Sequence, residues 1–255
     1  MDFFDEILTY TYLKSSSLSL LLDSVQQQAP AITQKSGKQM MAEALTGRIR
    51  SDSSMLRQGA KNATEASNIA GIVANSSSAI LTNLNQMLAL AQEVKADSTK
   101  AAADAPKFTA LAQGITSTIA NSKYNNISLL DKSGWTGDSR LTINGGGNSA
   151  SLKIQVGYDN STFTLNDMSY LNSLSSVDLS SPTLDLNALI SNLSTNITTA
   201  TIIYNGNSAL STAYAGESAF LVKQADILTK AAKDAMPSEE DPLLRDLGSI
   251  ISTTS

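Results

Sequence analysis

Residues 56 to 94 read LRQGAKNATEASNIAGIVANSSSAILTNLNQMLALAQEV, and the spacing of their small and apolar members decides the fold. Leu56, Gly59, Ala63, Ala66, Ala70, Val73, Ser77, Ile80, Leu84, Met87, Ala91 and Val94 recur at alternating steps of three and four, the seam of a helix packed along a partner. Glycine and alanine line the first half and let a partner backbone come close, while larger side chains line the second. No proline interrupts residues 38 to 96, so one continuous helix is predicted, on the order of 90 Å long at about 1.5 Å per residue. A coiled-coil seam and an ordinary bundle helix carry the same stripe, and period alone leaves both open.

Toward the carboxyl end, a second helix is expected to start near Pro106 and to turn Phe108, Leu111, Ala112, Ile115 and Ile119 inward. It should end between Asn121 and Asn126, where Asn125-Asn126 supplies turn chemistry. The period then drops to two: Leu141 and Ile143, then Leu152, Ile154 and Val156 beyond Gly145-Gly146-Gly147-Asn148, read as strands joined by a glycine-rich turn. A third short strand is expected at Thr162 to Leu165. After Pro182-Thr183, Asp185 favours a helix amino end, and a second seam reads Leu186, Ile190, Leu193, Ile197, Ala200 and Tyr204. Its register weakens at Asn205-Gly206-Asn207, resumes at Tyr214, Leu221 and Leu228, and stops at Pro237. Two seams of one period predict antiparallel helices zipped together.

Toward the amino end, Phe3, Ile7, Leu8, Leu18, Leu21, Leu22 and Val25 carry helical spacing until Ala29-Pro30. A helix so rich in serine needs a surface to lie on. Leu243, Leu244, Leu247 and Ile250 predict a short terminal helix. The expected fold is therefore mainly α: a rod of long antiparallel coiled-coil-like helices with a small β-hairpin region. Its parts are an amino-terminal assembly segment (1–37), the long helix and return helix (38–133), the hairpin region (134–180), the last core helix (181–236) and a carboxyl-terminal assembly segment (237–255).

Composition narrows the chemistry. Apolar residues make up 42% of 255, enough for a real core, whereas charged residues make up only 16%, which suits neutral helix faces. The net charge of −5, with dispersed basic residues, gives no footprint for nucleic acid. There is no cysteine and no histidine, which removes disulfides, thiolate and imidazole metal sites, and Ser-His-Asp or Cys-His catalysis. The first residues, Met1-Asp2-Phe3-Phe4-Asp5-Glu6, are acidic where a secretory signal is basic, and no apolar run is long enough to span a membrane.

The remaining polar clusters have simple readings. Glu239, Glu240 and Asp241 read as a solvated acidic helix start, and Asp159-Asn160 near Asp167 as a hairpin turn rather than a calcium site. The glycine run lacks the lysine of a phosphate loop. Asn-x-Ser/Thr triplets at Asn62, Asn126, Asn160, Asn192 and Asn196 are what chance yields in so polar a chain. Tyr204 and Tyr214 read as core or interface aromatics. No catalytic residue, cofactor or metal is assigned.

Three stretches together resemble bacterial flagellin, in that family's order. Leu45-Thr46-Gly47-Arg48-Ile49-Arg50, leading through Arg57, Gly59, Ala60, Asn62 and Ala63 to Ile80-Leu81-Thr82-Asn83-Leu84-Asn85-Gln86-Met87-Leu88-Ala89-Leu90-Ala91, is similar to the family's long amino-terminal helix. Tyr124-Asn125-Asn126-Ile127-Ser128-Leu129-Leu130-Asp131 is similar to its Phe-Asn-Gly-x-x-Leu-Leu turn, with Asn126 where glycine is usual. Leu152 to Gly157, followed by Thr162 to Met168, is similar to its β-region, which ends in an Asp-Met pair.

The resemblance implies a structural subunit exported through a flagellar type III route and assembled with copies of itself into an extracellular filament of the bacterial flagellum. It implies as partners a secretion chaperone and flagellar cap or hook proteins, with no nucleic acid and no membrane span. A hook–filament junction protein, which closes a ring instead of extending a filament, and a type III secreted needle or tip component are the alternatives.

Overall fold

A computed structural model describes residues 37–156 and 159–235, so the expectations for residues 1–28 and for the chain beyond Pro237 lie outside the described residues. The chain divides into two compact units, Met1–Glu43 and Ala44–Ser255. Of the first, only the opening turns of the long helix are described, and everything below concerns the second.

The proline-free stretch forms helix α1, Gly37–Ala96, of 60 residues. Its end is punctuated by Asp97, whose carboxylate accepts the backbone N–H of Thr99 at 3.0 Å and opens a short 3-10 turn, Ser98–Lys100. Helix α2, Ala101–Asn121, begins a turn and a half earlier than Pro106 predicts. Ala101-Ala102-Ala103 are strong helix formers, and they carry the helix back past the proline, which forfeits a single backbone hydrogen bond near the start. Phe108, Ala112, Ile115 and Ile119 are buried as expected, and Leu111 is half-buried. Helix α2 folds back along α1: Ser122 Oγ donates to Ser76 Oγ at 2.7 Å, and a Cβ on Gly114 would lie 3.0 Å from the Asn83 amide.

Strands β1 (Lys123–Tyr124) and β2 (Ile127–Ser128) form a minimal hairpin. Its two turn residues, Asn125 and Asn126, have φ of 46° and 64°, the left-handed backbone that asparagine tolerates best after glycine. Strands β3 (Leu141–Ile143), β4 (Ser149–Val156) and β5 (Asp159–Asn166) make an antiparallel sheet in the order β3-β4-β5. The last strand is longer than predicted and pairs along all of β4, from Ser149 opposite Asn166 to Val156 opposite Asp159. Ala150, Leu152 and Ile154 of β4 and Phe163 and Leu165 of β5 turn to the buried face, the period of two expected of a half-buried sheet. A 3-10 helix, Ser169–Ser176, buries Leu171 and Leu174 and packs on α2.

Helix α3, Leu186–Asp234, has 49 residues and is capped by Asp185, whose Oδ1 accepts the N–H groups of Asn187 and Ala188 at 2.9 and 3.0 Å. It runs antiparallel to α1: Ser53 meets Ala225, Arg57 meets Asp226, Thr64 meets Ser218 and Ser67 meets Ser211. The main core gathers α1 from Ala66 to Val94, α2, both β elements and α3 from Leu189 to Ile203. A smaller cluster, Leu56, Ala60, Leu221 and Ala225, closes the other end of the α1–α3 pair. The protein is thus mainly helical with a small antiparallel β region. Among the described residues no helix is long and apolar enough to cross a membrane.

Candidate functional site

The seam of α1 lies against the rest of the fold along its whole predicted length. Leu56, Gly59, Ala63, Ala66, Ala70, Val73, Ser77, Ile80, Leu84, Met87, Ala91 and Val94 are all buried. Thr46 and Ser53 are buried in the same phase, with the half-buried Ile49 between them. They extend the seam toward the amino end, and an apolar count passes over them because they are polar.

In its small-residue half the two helices approach closely enough for hydroxyls to reach across. Ser67 Oγ donates to the backbone oxygen of Ser211 at 2.8 Å, and Ser211 Oγ donates to that of Ser67 at 3.0 Å. A Cβ on Gly71 would lie 3.4 Å from Ser211 Oγ. Ser53 Oγ makes the same kind of bond to Ala225 O at 2.9 Å. A serine side chain is too short to reach another helix's backbone unless the axes are close, which is what Ala63, Ala66 and Ala70 permit. Each bond adds about 0.5–1.5 kcal/mol net and, unlike a methyl contact, tolerates only one register.

The seam of α3 keeps Leu193 and Ala200 as predicted, but at the alternate positions it sits one residue earlier over its first half. Leu189, Leu193, Ala200, Ile203 and Asn207 are buried, whereas Leu186, Ile190, Ile197 and Tyr204 are half-buried on its flank. The runs Leu189-Ile190 and Ile202-Ile203-Tyr204 present adjacent apolar residues, so an apolar pattern offers two phases. The true phase also contains Asn207, a residue that the pattern discards. Its Nδ2 donates to Ile203 O at 2.8 Å, leaving Oδ1 buried without a partner, as is Ser77 Oγ on α1. Beyond Asn207 the face resumes at Ser211 and Tyr214, then Leu221, Ala225 and Ala232, so the step from Asn207 is four where three was due. Such a stutter absorbs a change of local winding without breaking the helix.

The family-like turn forms the second half of the site, a clasp tying the hairpins to the helices. Leu129 and Leu130 are fully buried, Tyr124 is half-buried, and Asn125 and Asn126 are exposed. Leu129 N–H donates to Ser122 O at 2.9 Å, and Met168 N–H donates to Leu130 O at 2.8 Å, so the turn is bonded to the end of α2 and to the end of β5. Asp167 completes the tie: its carboxylate accepts the N–H groups of Lys132 and Ser169 at 3.2 and 3.0 Å and the Lys132 ammonium at 3.2 Å. Burial alone would raise this carboxyl's pKa, but donors from Ser169 and Lys132 outweigh it and hold the group below the usual range.

Trp135, the chain's one tryptophan, is buried beside the clasp and donates Nε1–H to Ser128 O at 2.8 Å. Gly134 is forced there by contact, since a Cβ would lie 2.8 Å from Ser128 Cβ. Neither Trp135 nor the crossing serines stand out in the sequence. Only the three-and-four spacing, extended to hydroxyl side chains, would have found Ser53.

Outside these tied regions a shallow groove of about 620 Å³ runs between α1 and α2, lined by Gln86, Ala89, Leu90, Lys107, Ala110 and Leu111. Among the described residues no group of three or more acidic side chains gathers as a metal site. Comparison with known proteins gives no match to a protein family and none to a curated protein.

Proposed function

We propose that this chain is a structural subunit of flagellin type, exported through a flagellar type III route and assembled with copies of itself into an extracellular helical filament. The observation that carries the reading is the pairing of α1 with α3: two long helices locked antiparallel through a neutral seam, with no charged residue between Ala66 and Gln92 of α1 or between Leu186 and Gly216 of α3. In this reading the helix pair is a coiled-coil-like rod, and the clasp at Leu129-Leu130 and Asp167-Met168 holds the β region rigidly against it. A chaperone would hold the chain before export, and hook or cap proteins would receive it.

Rigid subunits joined by unlike faces add end to end, and where the rotation between copies does not close a ring they grow as an open filament. Nucleated growth of that kind has a critical concentration. Sedimentation of purified protein across a concentration series is therefore the test: pelletable polymer should appear abruptly above one concentration and then rise linearly. A junction-like ring would instead give an oligomer of fixed size with no such threshold. A chain that stays monomeric at every concentration would refute the reading.

A further inference from the structure

We propose that the side of α3 turned away from the seam docks into the groove between α1 and α2 of a second copy of this chain; the inference rests on the self-assembly reading and names its contact surfaces. On that side Ile202, Ala209, Ala213, Gly216 and Phe220 follow the same seven-residue rhythm as a seam, yet face solvent. Ile202 is 67% exposed and Phe220 54%, and no side chain or other element comes within 4 Å of where a Cβ on Gly216 would stand, its two chain neighbours aside. Two large knobs separated by small residues form a ridge rather than a smooth surface.

Charge restricts what can cover that ridge. From Leu186 to Gly216 the helix carries no charged residue at all, whereas a solvated helix face normally carries several. Its threonine hydroxyls are already spent: Thr195, Thr198 and Thr212 each donate to the carbonyl four residues back, at 3.1 Å. Covering this face therefore strands none of these three donors, while a charged partner would lose solvation and gain no counter-charge.

The α1–α2 groove is the matching surface on the same molecule. Ala89 and Ala110 leave room between Leu90 and Leu111, and Lys107 at the rim is already paired with Asp104 at 2.8 Å. Copies that each carry a net charge of −5 repel one another except through uncharged faces, which favours this pairing over contact elsewhere on the surface.

The uncharged length of α3 is on the order of 45 Å and one helix face about 10 Å wide, an upper bound of roughly 450 Å² per copy, since the groove lies between residues 86–90 and 107–111 alone. That is about half of what each partner gives to a stable stand-alone interface. The contact therefore belongs to an assembly in which each copy makes several, and because ridge and groove are different surfaces, it repeats from copy to copy.

The chain contains no cysteine, so single cysteines can report the contact. Ala213→Cys and Ala110→Cys proteins are mixed under assembly conditions and treated with a short bismaleimide. A covalent dimer that requires both variants is the expected result. In parallel, Ile202→Glu, at a largely exposed position of the monomer, should raise the critical concentration about tenfold or more while leaving the melting temperature unchanged.

Dimers formed by Ala213→Cys alone would mean that α3 faces α3, and would overturn the proposal. So would slow maleimide labelling of Ala213→Cys in dilute monomer, since the chain's own termini would then cover the ridge. Filaments without the mixed cross-link would overturn the docking and leave the filament reading standing. The mixed cross-link without filaments would uphold the docking and sink the filament.

Discussion

Asp167 sits where β5 ends, and its carboxylate gathers three donors from Lys132 and Ser169 across the clasp. Charge-assisted bonds of this kind are worth about 1–3 kcal/mol when one partner is lost, so Asp167→Asn should lower the melting temperature by that equivalent. The sign with pH follows from the depressed pKa. Asp167 contributes stability that is fully present above its unfolded pKa of about 3.9 and is lost as pH falls through the lower folded value. Acid unfolding followed by Trp135 emission should therefore be less steep in Asp167→Asn than in the parent. Equal steepness would mean that the carboxylate is not what the clasp depends on. Ala66 offers a second test at this scale: it is completely buried where α1 and α3 converge, so Ala66→Leu should overpack the seam and cost about 1–3 kcal/mol in thermal melting.

At the scale of elements, the seam of α1 was legible because glycine, alanine and aliphatic residues keep one phase over eleven consecutive steps, with no competing stripe. Helix α3 was legible as an element but only partly in phase: Leu193 and Ala200 hold, while Leu189-Ile190 and Ile202-Ile203-Tyr204 each present neighbouring apolar side chains and the buried Asn207 reads as a break. The turn at Asn125-Asn126 declared itself through residue types that tolerate positive φ. By contrast, the 3-10 helix Ser169–Ser176 is rich in serine, and only its packing on α2 gives it shape. Hydroxyl bonds across the seam were invisible for a related reason: serine is read as surface until a close partner is known.

Two expectations belong to this scale. A double-mutant cycle on Ser67→Ala and Ser211→Ala should return a coupling of about 1 kcal/mol, because the two hydroxyls bond reciprocally across the helices. Replacing Asn207 by leucine removes a buried carbonyl that has no partner, and should raise stability by about 1 kcal/mol in denaturant unfolding. A loss of stability instead would show that Asn207 is needed to hold the register after the stutter.

For the molecule as a whole, charge is sparse, and it is missing from α3 between Leu186 and Gly216. If copies meet through the uncharged side of α3 and the α1–α2 groove, simple salt has no attraction to screen, only the mutual repulsion of copies that carry −5 each. Raising sodium chloride from about 0.05 to 0.5 M should then shift the critical concentration by less than about threefold, while sulfate should lower it by strengthening apolar burial. A polymer that dissolves in sodium chloride would place its contacts on charged surface, contrary to this account. The most direct measurement is electron microscopy of the purified full-length protein above its critical concentration, with Ile202→Glu imaged beside it. The account predicts long filaments of uniform width for the parent and none for the variant at the same concentration; closed rings, amorphous aggregate or dispersed monomer from the parent would contradict it.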